Sequence, residues 1–212
     1  MRVAVRALAD LAPDFILAPE RHVLAAGTAA GGDGVPLGDL VIERRERIDP
    51  TTSADAVVLD TSHARDGILD VAGALRDGAG GKSAKKRAAA GDLVVSRLRP
   101  YLRQIALVHP KAIAMAAKRP LALSTEFYVL APRDDGDELA FLVPFLLSAE
   151  AQAALADAQE GGHHPRVPRS SLFALRIPRA LIRSRARTSQ AVHDALADSY
   201  RASARLRGLL GG

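Results

Sequence analysis

Three arginines and a tyrosine within residues 91–108 have the residue types and spacing of a surface that binds phosphates or guanine edges. Arg97, Arg99, Tyr101 and Arg103 lie at two-residue intervals in GDLVVSRLRPYLRQIALV, whose aliphatic residues favour a β-strand. Because side chains alternate along a strand, Arg97 and Arg99 are predicted to share a face. A guanidinium can bind two acceptors at once, on a phosphate or on guanine O6 and N7. The alternative is a half-exposed strand with solvated arginines and a tyrosine partly buried against the sheet.

A basic segment precedes these arginines. Seven Lys or Arg residues and one acidic residue lie between Lys82 and Arg103, which gives this segment a charge of +6. Flanking glycines predict a loop that meets a polyanion. A solvated charge run is an equally open interpretation. The upstream cations predicted to contact phosphates are Lys82, Lys85, Lys86 and Arg87.

A second candidate loop follows residue 160, where glycines and prolines interrupt the chain. His163, His164, Arg166 and Arg169 lie in it and are candidate contacts for the same polyanion, because loops of this kind often carry function. The alternative for the two histidines is simple solvent exposure. Adjacent residues rarely ligate one ion well, so no metal site is predicted.

Catalytic chemistry finds little support in the sequence. The segment GGKS at 80–83 resembles the end of a phosphate-binding loop, but the required earlier glycine is replaced by Arg76. Ser124 and Glu126 have no histidine placed to complete a nucleophilic site, and they are interpreted as structural. Cysteine is absent, which excludes disulfides and thiolate chemistry. No catalytic residue and no cofactor are therefore predicted.

Charge is segregated along the chain. The total is +5, but residues 163–212 carry +8 and the first 162 residues carry −3. Such a distribution gives a protein a preferred face for a polyanion. The charged N-terminus lacks a signal core, and no apolar run reaches the roughly 20 residues that span a bilayer. A cytoplasmic protein is expected.

Hydrophobic spacing predicts the elements that position these residues. It predicts a mixed α/β fold with strands at 57–59, 68–71, 93–96, 104–108 and 126–130 and a helix over 139–158. Prolines forbid a helix from 165 to 178, and a long helix follows over 181–210. Its narrow apolar stripe predicts pairing with another helix, with packing on its own domain as the alternative. The partner-facing residues are Ile182, Ala186, Val192, Leu196, Tyr200, Leu206 and Leu210. Three regions are expected, namely an arm (1–34), a domain (35–178) and a helix (179–212).

Six segments in order resemble the specificity subunit of Type I restriction–modification systems. They are PLGDL at 36–40, KSAKKRAAAGDLVVSRLRPYL at 82–102, LSTEFYVLAP at 123–132, FLVPFLLS at 141–148, GGHHPRVPRSSLFALRIP at 161–178 and the terminal helix.

The resemblance implies a target recognition domain, with a mixed sheet and flanking helices, that reads duplex DNA and is followed by a long spacer helix. It further implies a non-catalytic subunit in phage defence, with a partner methyltransferase that supplies S-adenosylmethionine chemistry and a restriction subunit as an optional partner. Family members typically hold two such domains and two helices, whereas this sequence shows one of each. It is therefore either a half-subunit that dimerises through its helix or a single module of another methylation complex.

Two functions from other classes remain open beside this one. The first is a protein-interaction module that docks by its C-terminal helix without reading DNA. The second is a small nuclease that uses His163 or His164.

Overall fold

The computed structural model describes residues 33–49, 55–78, 84–134, 136–161 and 165–210. Twelve short strands occur in these ranges. They are β1 (Gly34–Pro36), β2 (Val41–Glu43), β3 (Arg47–Ile48), β4 (Val57–Leu59), β5 (Ala64–Arg65), β6 (Ile68–Leu69), β7 (Lys85–Ala88), β8 (Leu93–Ser96), β9 (Ile105–Leu107), β10 (Leu121–Leu123), β11 (Phe127–Pro132) and β12 (Arg176–Pro178).

Helices alternate with these strands. The α-helices are α1 (Leu37–Leu40), α2 (Val71–Asp77), α3 (Pro110–Met115), α4 (Leu142–Leu146), α5 (Ala149–Asp157), α6 (Arg169–Ala174), α7 (Arg179–Arg183) and α8 (Arg185–Leu210). Two 3₁₀ turns lie at Thr61–His63 and Pro100–Leu102.

Two four-stranded sheets form the centre of the domain. One has the order β2-β11-β8-β9 and is antiparallel throughout. The other has the order β3-β7-β10-β4 and combines antiparallel pairs with the parallel pair β10–β4. Two-stranded ribbons are formed by β1 with β12 and by β5 with β6. This mixed α/β architecture is the fold class predicted from the sequence.

The predicted strand at 93–96 is the buried centre of the first sheet. All four residues of β8 are buried, because the strand lies between β11 and β9 and is covered on both faces. Val94 pairs with Val129 on one side and with Ala106 on the other. Strands rich in Val and Leu suit such a position, since branched aliphatic side chains pack well on a pleated surface.

The basic segment is a strand where a loop was predicted. Lys85–Ala88 forms β7 and pairs with both β3 and β10. The prediction was wrong because a lysine can occupy an inner strand when its charge has a partner. The Lys86 ammonium lies 3.0 Å from the Glu43 carboxylate, and both side chains are only 13% exposed.

The boundaries of the helices and strands also differ from the prediction in three places. The helix predicted over 139–158 is two helices, because the Ser148 hydroxyl caps α5 by accepting from the Ala151 amide at 3.2 Å. Residues 68–71 divide between β6 and α2, whose first turn is capped by Asp70. Helix α6 begins directly after Pro168, in a stretch where no helix was predicted. Proline obstructs a helix interior but is tolerated at a helix start.

The long C-terminal helix packs on its own domain over its first half. It is broken at Ser184, and the remaining α8 has 26 residues, about 39 Å at 1.5 Å per residue. The Tyr200 hydroxyl accepts from the Leu69 amide at 3.1 Å and donates to the Leu69 carbonyl at 3.0 Å. The Phe141 amide donates to the Ser189 hydroxyl at 3.2 Å. Packing on the chain's own domain, the alternative left open above, is therefore what the structure shows up to Tyr200.

The N-terminal arm predicted over residues 1–34 is described only at its end. The predicted arm lies outside the described residues up to position 32, and its last residue, Gly34, pairs with Pro178 in the β1–β12 ribbon.

Among the described residues, no helix has both the length and the hydropathy needed to cross a membrane.

Candidate nucleic-acid interface

Arg97 follows directly after β8 and has a main chain that is fixed on both sides. Its amide donates to the Glu126 carbonyl at 2.9 Å, and its carbonyl accepts from the Val167 amide at 2.8 Å. The Ser96 hydroxyl accepts from the Leu98 amide at 3.1 Å, which shapes the turn that follows. These main-chain hydrogen bonds therefore fix the position of the Arg97 Cα atom, from which the side chain extends.

The Arg97 guanidinium lies over an aromatic ring and makes no hydrogen bond to any residue that the structure describes. Its central carbon is 5.6 Å from the centre of the Tyr128 ring, within cation–π range. Its Nε atom is buried and has no hydrogen-bond partner in the described part of the chain. The Tyr128 hydroxyl donates to the Val167 carbonyl at 2.8 Å, which holds the ring in place. Burial, the largest influence, raises the pKa of Tyr128, so the ring stays neutral near pH 7.

Glu126 lies beside Arg97 and is bound by Arg166. The Arg166 Nε and Nη2 atoms donate to the two Glu126 carboxylate oxygens at 3.0 and 2.8 Å. These hydrogen bonds are the main reason why the pKa of Glu126 is lowered, with the charges of Arg166, Arg97 and Lys86 acting in the same direction. The distance from Arg97 Nε to the nearest Glu126 oxygen is 3.9 Å, which is an ion pair without a hydrogen bond.

Glu43 occupies a similar position between two other cations. Its carboxylate lies 3.0 Å from the Lys86 ammonium and 3.0 Å from Arg169 Nε. Lys86 also donates to the Phe127 carbonyl at 2.6 Å, while the Arg169 guanidinium lies 4.1 Å from the centre of the Phe173 ring. Lys86 is therefore satisfied inside the protein, which corrects its predicted role as a phosphate contact.

These side chains form one surface, the cation cluster. Four of its members are cationic and two are carboxylates, so their formal charge is +2. The cation cluster comprises Glu43, Lys86, Arg97, Glu126, Arg166 and Arg169.

Two further predicted DNA contacts are paired at the surface. Arg87 lies 2.8 Å from the Glu46 carboxylate and Arg103 lies 2.6 Å from that of Asp66, with all four side chains about half exposed. Exposed pairs of this kind contribute about 0–1 kcal/mol, so they can be exchanged for a phosphate at little cost.

Arg99 and Tyr101 have different surroundings. Within the described ranges the Arg99 side chain takes part in no ion pair and no hydrogen bond, and Tyr101 is 69% exposed. Arg99 has a φ of +45° and Arg103 a φ of +53°, so the predicted shared strand face is wrong. The strand ends at Ser96, and the 3₁₀ turn Pro100–Leu102 follows. An open concavity of about 500 Å³ adjoins it, lined by Thr61, Leu98, Arg99, Tyr101, Leu102, Gln104, Gln159 and Pro165.

The remaining predicted contacts divide into two groups. Lys82, His163 and His164 lie outside the described residues. Lys85 is half-buried in β7, where it pairs in register with Ile48.

The structure also adds two residues that the sequence did not single out for binding. Glu43 and Glu126 organise the cation cluster from positions 40 or more residues away from Lys86 and Arg166, respectively. Glu126 was interpreted as structural, and no local pattern signals a contact over such a separation.

The residues of the C-terminal helix that were predicted to face a partner differ in burial. Leu196 and Tyr200 belong to the chain's own core, with 7% and 6% exposure, which corrects their predicted role. Ile182 and Val192 pack against that core, and Ala186 is exposed. The end of α8 is the most exposed apolar part, with Leu206 58%, Leu209 81% and Leu210 77% exposed.

Comparisons with known proteins identify the fold. No family model and no curated protein sequence matches this chain. A solved chain from work on complex assembly and conformational transition of the type I R-M system is 24% identical with a TM-score of 0.52. The match covers 87% of this chain and 47% of that one. The HsdS subunit from Thermoanaerobacter tengcongensis is 23% identical with a TM-score of 0.49, covering 83% of this chain and 44% of its own.

The fold expected from the resemblance is therefore confirmed. This chain has a mixed α/β fold like that of a chain in a type I R-M system, and it spans about half the length of the solved chains it matches.

Proposed function

We propose that this chain is a non-catalytic DNA-recognition module of a Type I-like restriction–modification system or a related DNA-methylation system. It binds duplex DNA and directs a partner methyltransferase, which supplies the S-adenosylmethionine chemistry and takes the target base out of the helix. Residues 35–178 are proposed as the recognition domain and residues 179–212 as the assembly helix. The cytoplasm, where chromosomal and invading DNA are both accessible, is the proposed site of action in phage defence.

The observation that carries this proposal is the Arg97–Tyr101 segment at the end of β8. Arg97 is held over Tyr128 and its side chain makes no hydrogen bond in the described part of the chain, and Arg99 and Tyr101 lie on the exposed turn beyond it. Guanidiniums fixed by a rigid scaffold are suited to base edges, and an exposed aromatic ring can stack on a base or contact the sugar. The fold likeness to a chain of a type I R-M system supports the same reading.

The paired cations have a secondary role in this proposal. The cation cluster keeps a formal charge of +2, and Arg87 and Arg103 lie in exposed pairs that a phosphate can open. These groups provide affinity and salt dependence, whereas base contacts provide the sequence discrimination. His163 and His164 are proposed as additional contacts from the second loop.

The exposed apolar end of α8 supports assembly with a second recognition unit. We propose that the exposed leucines at the end of α8 pair with a second copy of the chain, so that the dimer reads a bipartite site. Sedimentation of the wild type and of a Leu206→Glu, Leu210→Glu variant tests this point, and a loss of the dimer is expected. A monomeric wild type at tens of micromolar would contradict it. A restriction subunit is proposed as an optional further partner.

A second candidate function is a protein-interaction module that docks by its helix and does not read DNA. The exposure of Leu206, Leu209 and Leu210 favours it, since an unpaired apolar helix end suits a protein partner.

Fluorescence anisotropy with a random-sequence duplex and co-purification with the methyltransferase distinguish the two functions. For DNA recognition, phosphate contacts by Arg87 and Arg103 predict a loss of affinity of roughly tenfold between about 50 and 200 mM salt. Selection from a random duplex library should also enrich a specific sequence. Co-purification without any duplex binding would instead establish the interaction module.

A further inference from the structure

Glu126 places a negative charge beside Arg97, whose side chain makes no hydrogen bond to any described residue, and a carboxylate there is unexpected on a surface for a polyanion. We propose that Glu126 makes Arg97 favour a neutral bidentate acceptor, the O6 and N7 edge of guanine, over a phosphate at the same position. This inference rests on the proposed function and names the ligand class of one of its contacts.

The first step is that the main chain holds Arg97 beside Glu126. The two main chains are joined by a hydrogen bond of 2.9 Å, and the Val167 amide holds the Arg97 carbonyl from the other side. The guanidinium lies over the Tyr128 ring, and its Nε atom is buried. The two Nη atoms are therefore the donors of Arg97 that can bind a ligand.

The second step is that Glu126 stays charged. Arg166 binds both of its carboxylate oxygens, and this contact holds the pKa of Glu126 below its ordinary value. The carboxylate is only 26% exposed, so water screens it less than it would a fully solvated group.

The third step concerns the ligand. An acceptor bonded to the Arg97 fork lies about 3 Å from its nitrogens, and thus within several ångströms of the Glu126 carboxylate. A phosphate at that place is repelled by the Glu126 carboxylate, and this repulsion offsets part of its attraction to the cations of the cluster. Guanine carries no charge and offers two acceptors with the spacing of the fork, so it binds without this repulsion.

The test compares Glu126→Gln with Asp66→Asn. Both substitutions remove one carboxylate that lies beside an arginine, and both keep the side-chain shape. Asp66 pairs with Arg103 on an exposed part of the surface and serves as the control. Asparagine also tolerates the positive φ of +48° at position 66.

The measured quantity is the affinity ratio between a duplex enriched from a random library and the random duplex itself. Glu126→Gln is expected to raise random-duplex affinity roughly tenfold with a smaller change for the enriched duplex, so discrimination falls. Asp66→Asn is expected to raise both affinities equally. If Glu126→Gln also raises both equally, the inference is overturned.

A second measurement uses the wild type, so it stands even if Glu126→Gln fails to fold. Guanines of the enriched duplex are replaced one at a time by 7-deazaguanine, which lacks the N7 acceptor. One position is expected to lose roughly tenfold or more in affinity, and Arg97→Ala should remove that sensitivity. The absence of any such position would overturn the inference while leaving the proposed function standing. A library that yields no enriched sequence would overturn both.

Discussion

The main chains of Arg97 and Glu126 are joined by a hydrogen bond of 2.9 Å, while Arg97 Nε stays 3.9 Å from the nearest Glu126 carboxylate oxygen. Arg166 accounts for this difference, because it takes both carboxylate oxygens and leaves none in hydrogen-bonding distance of Arg97. A charged side chain is thus fixed near its partner without being satisfied by it. An arginine in this state gains more from an external acceptor than one already paired.

Arg97→Ala and Arg99→Ala are each expected to weaken duplex binding by about 1–3 kcal/mol. The reason is loss of a guanidinium contact, and the fold should survive because neither side chain supplies a hydrogen bond to the described structure. Anisotropy titration measures the affinity, and thermal unfolding checks the fold. Arg205→Ala, on an exposed turn of α8, is the matched control and should bind normally. Retained sequence discrimination in both variants would rule these two residues out as readers.

Lys86→Ala is expected to lower the free energy of unfolding by about 1–3 kcal/mol. The Lys86 ammonium donates to Glu43 and to the Phe127 carbonyl in a half-buried position, so its loss removes the donor from that carbonyl and leaves Glu43 with Arg169 alone. Arg87→Ala removes an exposed pair with Glu46 and should cost less than about 1 kcal/mol. Urea unfolding of the two variants provides the comparison. Equal costs would contradict the structural role given to Lys86.

Tyr200→Phe is expected to destabilise the protein by about 1–3 kcal/mol. The hydroxyl both accepts from and donates to the Leu69 main chain, and the contact is buried. Tyr101→Phe, at an exposed position, should change stability by less than about 0.5 kcal/mol. The two free energies come from urea unfolding monitored by circular dichroism. If the two substitutions have the same effect, Tyr200 does not anchor α8.

Stability should fall as the pH decreases below about 6.5, in part because of His109. Burial, followed by the charges of His193 and Lys111, lowers the pKa of His109 from its model-compound value of 6.5. The unfolded chain therefore binds the proton first, and stability is lost as the pH falls from that value towards the lowered pKa. Protonation of Nδ1 would also remove the acceptor for the Lys111 amide at the start of α3.

The substitution His109→Asn tests this pH dependence, because asparagine can still cap the helix but does not titrate. Urea unfolding at several pH values between about 7.5 and 5 should give a flatter profile for the variant. The His193→Gln variant should reduce the slope only in part, since it removes one neighbouring charge and leaves the burial. An unchanged slope in His109→Asn would assign the acid sensitivity to other groups.

The sequence predicted the fold class and several strands because those features depend on short-range hydrophobic spacing. It placed β8 correctly for that reason. It missed the role of Glu126, because the contact with Arg166 joins positions 40 residues apart. It also misplaced Lys86 in a loop, since a basic residue in a strand is only explained by its partner Glu43 from another sheet. The site depends on tertiary pairing of charges, for which the one-dimensional pattern contains no signal.

The positive φ angles at Arg99 and Arg103 restrict which residue types can replace these two arginines. Left-handed backbone is costly for β-branched side chains, and Gly, Asn and Asp tolerate it best. Arg97, by contrast, begins from sheet-paired main chain that accepts many residue types. Natural variation in the recognised bases should therefore arise more readily by exchange at position 97 than by threonine, valine or isoleucine at 99 or 103.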